Sequence, residues 1–340
     1  MPGATEMSRG TNGRNPEFNP VFIPDVVNVT HRDDLSLIYK IIRIAVLWPL
    51  RPHLVSYKKR YPGGSQRLYQ HPRRLHGVTI KESKAEIPST SSPSDYGTAN
   101  PYAFSVPDVR RWLEQVLVEA APVNGTLTLA GDGAGANVAL SLGLWVADRI
   151  ATLEGPGVPG SGPQHKSTLS TGLPESKSVT NASVMRRLRS IMVISPPTDL
   201  RPNRHSASRA DADARDKVMG QGAADEAAVA WSKGSFTDGQ NRYLSPGLAD
   251  LANLRASEIR IDGVIGTADV EAHDSMVFLQ RCREAEVPGR WLVWEGQMHC
   301  FPLAACYGLR EGKEAREWVA DVLRGGEKGR ERRQSSVQSI

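Results

Sequence analysis

Leu129-Ala130-Gly131-Asp132-Gly133-Ala134-Gly135-Ala136-Asn137 joins a short apolar run, Leu127 to Ala130, to a stretch from Ala134 to Ile150 that carries few charges. The first has the length and composition of a buried strand, and the second reads as a helix packed behind a sheet. Three glycines at alternate positions compress the passage between them. Glycine suits such a turn because it accepts left-handed backbone and close backbone approach. A phosphate-cradling turn at a helix N-terminus would use similar glycines, but Asp132 would repel the phosphate and no Lys-Ser/Thr pair follows.

Outward from this turn, short apolar strands alternate with helical spacing. Val109, Trp112, Leu113, Val116 and Leu117 recur at helical intervals within Val106 to Val118. Ile191 to Ile194, Ile259 to Ile265 and Trp291 to Trp294 read as strands, Met276 to Ala285 and Lys313 to Leu323 as helices. This alternation predicts an α/β fold with a mostly parallel sheet covered on both faces. The expected organisation is a flexible leader at 1–30, then a cap helix (Leu35 to Leu50) and a basic connector within 31–76. The main domain spans 77–325, with a strand starting at Val78, a polar loop from Ser83 to Asn100, a disordered insertion at 151–183 and a helical cap insertion at 201–243. A disordered tail occupies 326–340.

Composition removes several function classes. The net charge of +5, from 42 Lys+Arg against 37 Asp+Glu, gathers between Arg43 and Arg74 and between Arg324 and Arg333. Such blocks are solvated flanks more often than nucleic-acid sites, and no zinc-finger, RNP-type or helix-turn-helix pattern accompanies them, so no nucleic-acid partner is expected. Cys282, Cys300 and Cys306 offer no disulfide framework, and the first twenty residues lack the apolar core of a signal peptide, which predicts a cytoplasmic protein. Leu35 to Leu50 is shorter than the ~20 residues that span a bilayer. A helix on the domain is expected there, with weak membrane-surface contact through residues 35–60 as the other reading.

A strand that enters a helix through closely spaced glycines is the geometry of a nucleophile elbow, G-x-S-x-G, with Gly133 at its centre. The segment resembles the G-D-S-A-G elbow of the hormone-sensitive-lipase-like esterases. These belong to the α/β-hydrolase fold-3 family, with the steryl-acetyl-hydrolase-like enzymes, and the likeness is to fungal members. Gly266-Thr267-Ala268-Asp269, at a strand end, resembles that family's acid loop, and Gln297-Met298-His299-Cys300-Phe301-Pro302 resembles its histidine loop. Ser195-Pro196-Pro197-Thr198-Asp199 and Tyr243-Leu244-Ser245-Pro246 resemble further landmarks, so the likeness runs from about Pro101 to Leu323. It implies an α/β-hydrolase fold with a helical cap, Asp269 and His299 as catalytic acid and base, and no cofactor or metal.

Departures from the family bear on function. In a serine hydrolase the hydroxyl attacks while histidine takes its proton and aspartate orients the ring. Gly133 has no side chain with which to attack, so the chain reads as a degenerate member. No H-G-G-G-type oxyanion loop lies between Val78 and Asp132, and Ser83 to Asn100 is too short for the strand-helix-strand unit expected there, which predicts a reduced sheet. Cys300 is expected to be a buried structural cysteine, because sequence neighbours rarely face each other across a site, and Asp132 is expected to point into the protein. The expected function is a pocket for a small apolar or acyl, ester-type ligand with ester hydrolysis impaired. Two alternatives stand beside it: a general-base enzyme of elimination or cyclisation in secondary metabolism using His299 and Asp269, and a carboxylic ester hydrolase with another nucleophile.

Overall fold

A computed structural model describes residues 26–47, 101–120, 125–155, 181–201, 206–232 and 242–325. The expected strand at Val78, the polar loop, most of the leader, the core of the 151–183 insertion and the tail lie outside the described residues, as does the region of the expected sheet reduction.

Five strands form one sheet: β1 (Val27–Arg32), β2 (Leu127–Asp132), β3 (Leu188–Ile194), β4 (Arg260–Gly266) and β5 (Gly289–Trp294). Their order is β1-β5-β4-β3-β2 and every pairing is parallel. Connecting helices are α1 (Leu37–Ile42), α2 (Pro101–Ala120), α3 (Ala134–Glu154), α4 (Ala182–Met185), α5 (Ser206–Arg215), α6 (Gln221–Ser232), α7 (Ala252–Ala256), α8 (Ala272–Glu284) and α9 (Arg310–Leu323). The alternation read from the sequence is thus an open parallel α/β sheet.

Side chains alternate across a strand, so two cores drawn from one strand lie on opposite faces. Trp291 and Val293 of β5 join Ile261 and Ile265 of β4, Phe278 of α8 and the buried stripe of α3 in one core. Leu292, Trp294 and Val264 join Tyr39, Met298, Phe301 and Leu309 in the other. The sheet centre is therefore covered twice. At β2 only Leu129 is buried, while Thr128, Ala130 and Asp132 are exposed.

Two expectations are corrected. The leader was expected to run to residue 30, but Val27 to Arg32 pair with Gly289 to Trp294 as an edge strand. Val27 and Val29 alternate with polar residues, and that pattern is short and embedded in polar sequence. The helix expected from Leu35 to Leu50 is α-helical only from Leu37 to Ile42 and widens to a π-turn at Arg43–Leu47. Residues 48–50 of the expected helix lie outside the described residues. Among the described residues no helix is long and apolar enough to cross a membrane.

Candidate active site

β2 delivers the chain to the elbow. Gly133 has φ 48 and ψ −120, and its carbonyl accepts from Ala136 N and Asn137 N as α3 begins. Its own N–H donates to Ile194 O at 2.9 Å, tying the turn to β3. A β-carbon on Gly131 would lie 2.3 Å from the Gly135 backbone, so a side chain there would push strand and helix apart. A β-carbon on Gly133 would stand 3.2 Å from His299 Nε2 and 3.9 Å from Cys300 Sγ. The position where the elbow aims a side chain therefore faces an imidazole.

Asp269 follows β4 in a turn closed by its N–H on Gly266 O at 3.1 Å, and its carboxylate is fully buried. His299 Nδ1 lies 3.0 and 3.1 Å from its two oxygens. A carboxylate only accepts, so Nδ1 carries the hydrogen and Nε2 is left toward Gly133. Burial disfavours the imidazolium, but the Asp269 charge and the neighbouring Cys300 thiol outweigh it and hold the His299 pKa well above the histidine range. A folded pKa above the unfolded value of about 6.5 contributes stability that is complete below that pH and lost as pH rises through the folded value. Urea unfolding of wild type against His299→Gln is expected to show its full wild-type advantage below about pH 6.5, shrinking as the pH rises through the folded value. An advantage constant across that range would remove this account.

The loops carrying the two residues are tied to each other and to neighbouring elements. Thr267 N donates to Trp294 O, Ala268 N to Gln297 O, and Gly296 N to Thr267 Oγ1. Met298 N donates to the hydroxyl of Tyr39, a buried α1 residue, at 3.2 Å. Asp216, fully buried after α5, accepts from Val218 N and Met219 N on one oxygen and from Val270 N on the other. Burial, and then the charge of Asp269, push its carboxyl up to about 6. Tyr39 and Asp216 were not singled out in the sequence, where a lone Tyr or Asp among apolar or alanine-rich neighbours carries no site signal.

Cys300 departs from its expected place. Its backbone is left-handed, φ 51 and ψ 34, and its N–H donates to Ser195 Oγ at 2.9 Å. That twist turns a sequence neighbour of His299 toward the same space as the imidazole, where it is half-buried and not part of the core. Asp132 is likewise exposed rather than inward. Both line an apolar cavity of about 770 Å³ with Gly133, His299, Met298 and Leu303. A smaller cavity of about 80 Å³, walled by Asn137, Leu200, Ala228 and Trp231, also reaches Gly133 and His299. Among the described residues no cluster of three or more His, Cys, Asp or Glu side chains is placed to hold a metal ion.

No curated protein matches the chain. Solved structures similar to it include EstE5 soaked with p-nitrophenyl butyrate, at 21% identity and a TM-score of 0.46, covering 66% of this chain and 61% of that one. A putative esterase from Staphylococcus aureus matches at 17% identity, TM-score 0.46, over 65% and 59% of the two chains. A hormone-sensitive lipase from a metagenome library matches at 18% identity, TM-score 0.45, over 64% and 58%. The chain thus spans less than two thirds of the length of each. Residues 98–303, from the approach to α2 through the histidine loop, match the family described as alpha/beta hydrolase fold, and over that majority of its length the chain belongs to this family.

Proposed function

We propose that this chain is of esterase descent, that Gly133 stands where the nucleophilic serine would, and that serine-type ester hydrolysis is impaired while the pocket binds a small apolar or acyl ligand. The observation that carries the reading is the vector from Gly133: it points at Nε2 of an Asp269-oriented histidine from 3.2 Å and bears no attacking atom. The apolar lining of the adjoining 770 Å³ cavity favours an acyl or hydrocarbon group. α5 and α6 serve as part of the cap, since α6 walls the smaller cavity.

Leu37, Ile38, Ile41 and Ile44 are exposed on the segment whose Ile42 and Leu47 line the large cavity. This supports weak contact with a membrane surface beside the pocket mouth. Three free thiols support a reducing, cytoplasmic setting. The test is labelling by an active-site-directed fluorophosphonate. Wild type is expected to remain unlabelled at serine, and Gly133→Ser to become labelled at the new hydroxyl. A wild-type serine that labels in the folded protein only would overturn the reading.

A further inference from the structure

The geometry points to Cys300 as a displaced nucleophile: its Sγ, served by His299 and Asp269, accepts the acyl group of an activated ester or thioester of an apolar acid. This rests on the reading that Gly133 replaces the serine. The thiol lies 3.9 Å, and Nε2 3.2 Å, from the point a serine β-carbon would occupy, so sulfur borders the space the missing hydroxyl would use. Thiol and imidazole also line the same large cavity. The backbone that aims it is of a kind that costs a non-glycine residue ~1–3 kcal/mol unless its surroundings hold it, and here Ser195 Oγ accepts the Cys300 N–H.

The other two cysteines serve as internal comparisons. Cys282 is fully buried, and burial pushes its thiol far up, so it is inert. Cys306 lines the same large cavity but is exposed, and its thiol donates to Leu303 O at 3.0 Å. Only Cys300 combines cavity access with the histidine.

A second observation comes from the other side of the elbow. Asn137 Nδ2 donates to Pro197 O and Leu244 O, which fixes the amide, and its Oδ1 is buried with no protein donor. Asn137 walls the small cavity beside Gly133, Ala134 and His299. A buried acceptor of this kind calls for a ligand or water that donates to it. At about 80 Å³ the cavity has room for a water next to the imidazole.

The reaction balances without any further reagent than water. Above the folded pKa of His299, where Nε2 is free of its proton, Nε2 takes the Cys300 proton, Sγ bonds the acyl carbon, the bond to the leaving group breaks, and the imidazolium protonates the leaving group. Water then attacks the thioester, His299 takes its proton, the C–S bond breaks, and the thiolate recovers the proton as the acid departs. The tetrahedral adduct can expel either sulfur or the substrate's leaving group, and a thiolate leaves far more readily than an alkoxide. Productive donors are therefore thioesters and phenolic esters rather than simple alkyl esters. Ala134, in the first turn of α3, lines both cavities and brings an N–H with no intrahelical acceptor to the same space.

Full-length protein mixed with p-nitrophenyl butyrate is expected to release one equivalent of p-nitrophenolate in a first phase. In the same phase it gains one butyryl group on the peptide bearing Cys300. Cys300→Ala and Cys300→Gly, the second free of left-handed strain, lose both signals, and Cys282→Ala, which lines neither cavity, keeps both. His299→Ala slows the first phase by on the order of 10²-fold. A first phase unchanged in Cys300→Ala and Cys300→Gly, or butyryl shared equally between Cys300 and Cys306, overturns the proposal. Gly133→Ser/Cys300→Ala separates the two readings. Hydrolysis by that variant while wild type is never acylated leaves the Gly133 reading standing and ends the thiol proposal. Acylation of Cys300 in wild type upholds the thiol, and failure of both the wild-type acylation and the variant's hydrolysis ends both readings.

Discussion

Gly133→Ser is expected to raise steady-state hydrolysis of a short-chain p-nitrophenyl ester by on the order of 10³-fold, measured in a Cys300→Ala background. Removing such a serine costs on the order of 10⁶ in turnover. Restoring it cannot recover all of that, because an H-G-G-G-type loop is missing from the sequence before the elbow, and one oxyanion donor is worth ~10²–10³. The new β-carbon would sit 3.2 Å from His299 Nε2, which requires the imidazole to yield by a few tenths of an ångström. A ring on a loop can do so. The substitution also places a side chain at φ 48, so the variant is expected to lose about 1–3 kcal/mol of stability. Activity and stability thus move in opposite directions at one residue. If His299→Ala leaves the gained activity intact, the serine is not working through this dyad and the site has been misread.

Trp294→Ala is expected to cost about 3–5 kcal/mol in urea unfolding and to lower any His299-dependent activity further than the fold loss explains. The indole is fully buried at the end of β5, edge-on to Phe301 with ring centroids 5.7 Å apart and beneath the Arg32 guanidinium at 3.9 Å. Its Nε1 donates to Asp34 O, and its carbonyl accepts from Thr267 N on the acid loop. Phe301 begins the 3-10 turn directly after Cys300, so a void at Trp294 opens under the segment that aims the imidazole. A measured cost below about 1 kcal/mol would mean the surroundings collapse into the gap, and the packing account would fail.

Periodicity and glycine spacing made the centre of this fold legible. Val106 to Val118 foreshadowed α2, and the strand entering the glycines foreshadowed the elbow, because hydrophobic recurrence and tight turns are local properties of the chain. The order of Gly133, Asp269 and His299 along the sequence also anticipated residues that the sheet brings together, since all three follow parallel strands that end on one edge. What stayed hidden is set by distant partners or by backbone torsion. Val27 to Arg32 becomes a strand only because β5 offers a free edge beside it. Tyr39 and Asp216 matter through backbone N–H groups far away in sequence. Cys300 was expected to be structural because adjacent side chains in extended or helical backbone diverge. A left-handed residue breaks that rule, and nothing in Met298-His299-Cys300-Phe301 announces one.

The placement of β2 has a consequence for how the molecule opens. Among the described residues β2 pairs with β3 alone and one of its faces is bare, whereas the strands leading to Asp269 and His299 have neighbours on both sides. Among the described strands, β4 and β5, each paired on both sides, are expected to keep their amides protected longest, so the loops of Asp269 and His299 stay anchored together. In mild denaturant the imidazole is expected to keep its carboxylate until the centre of the sheet itself opens.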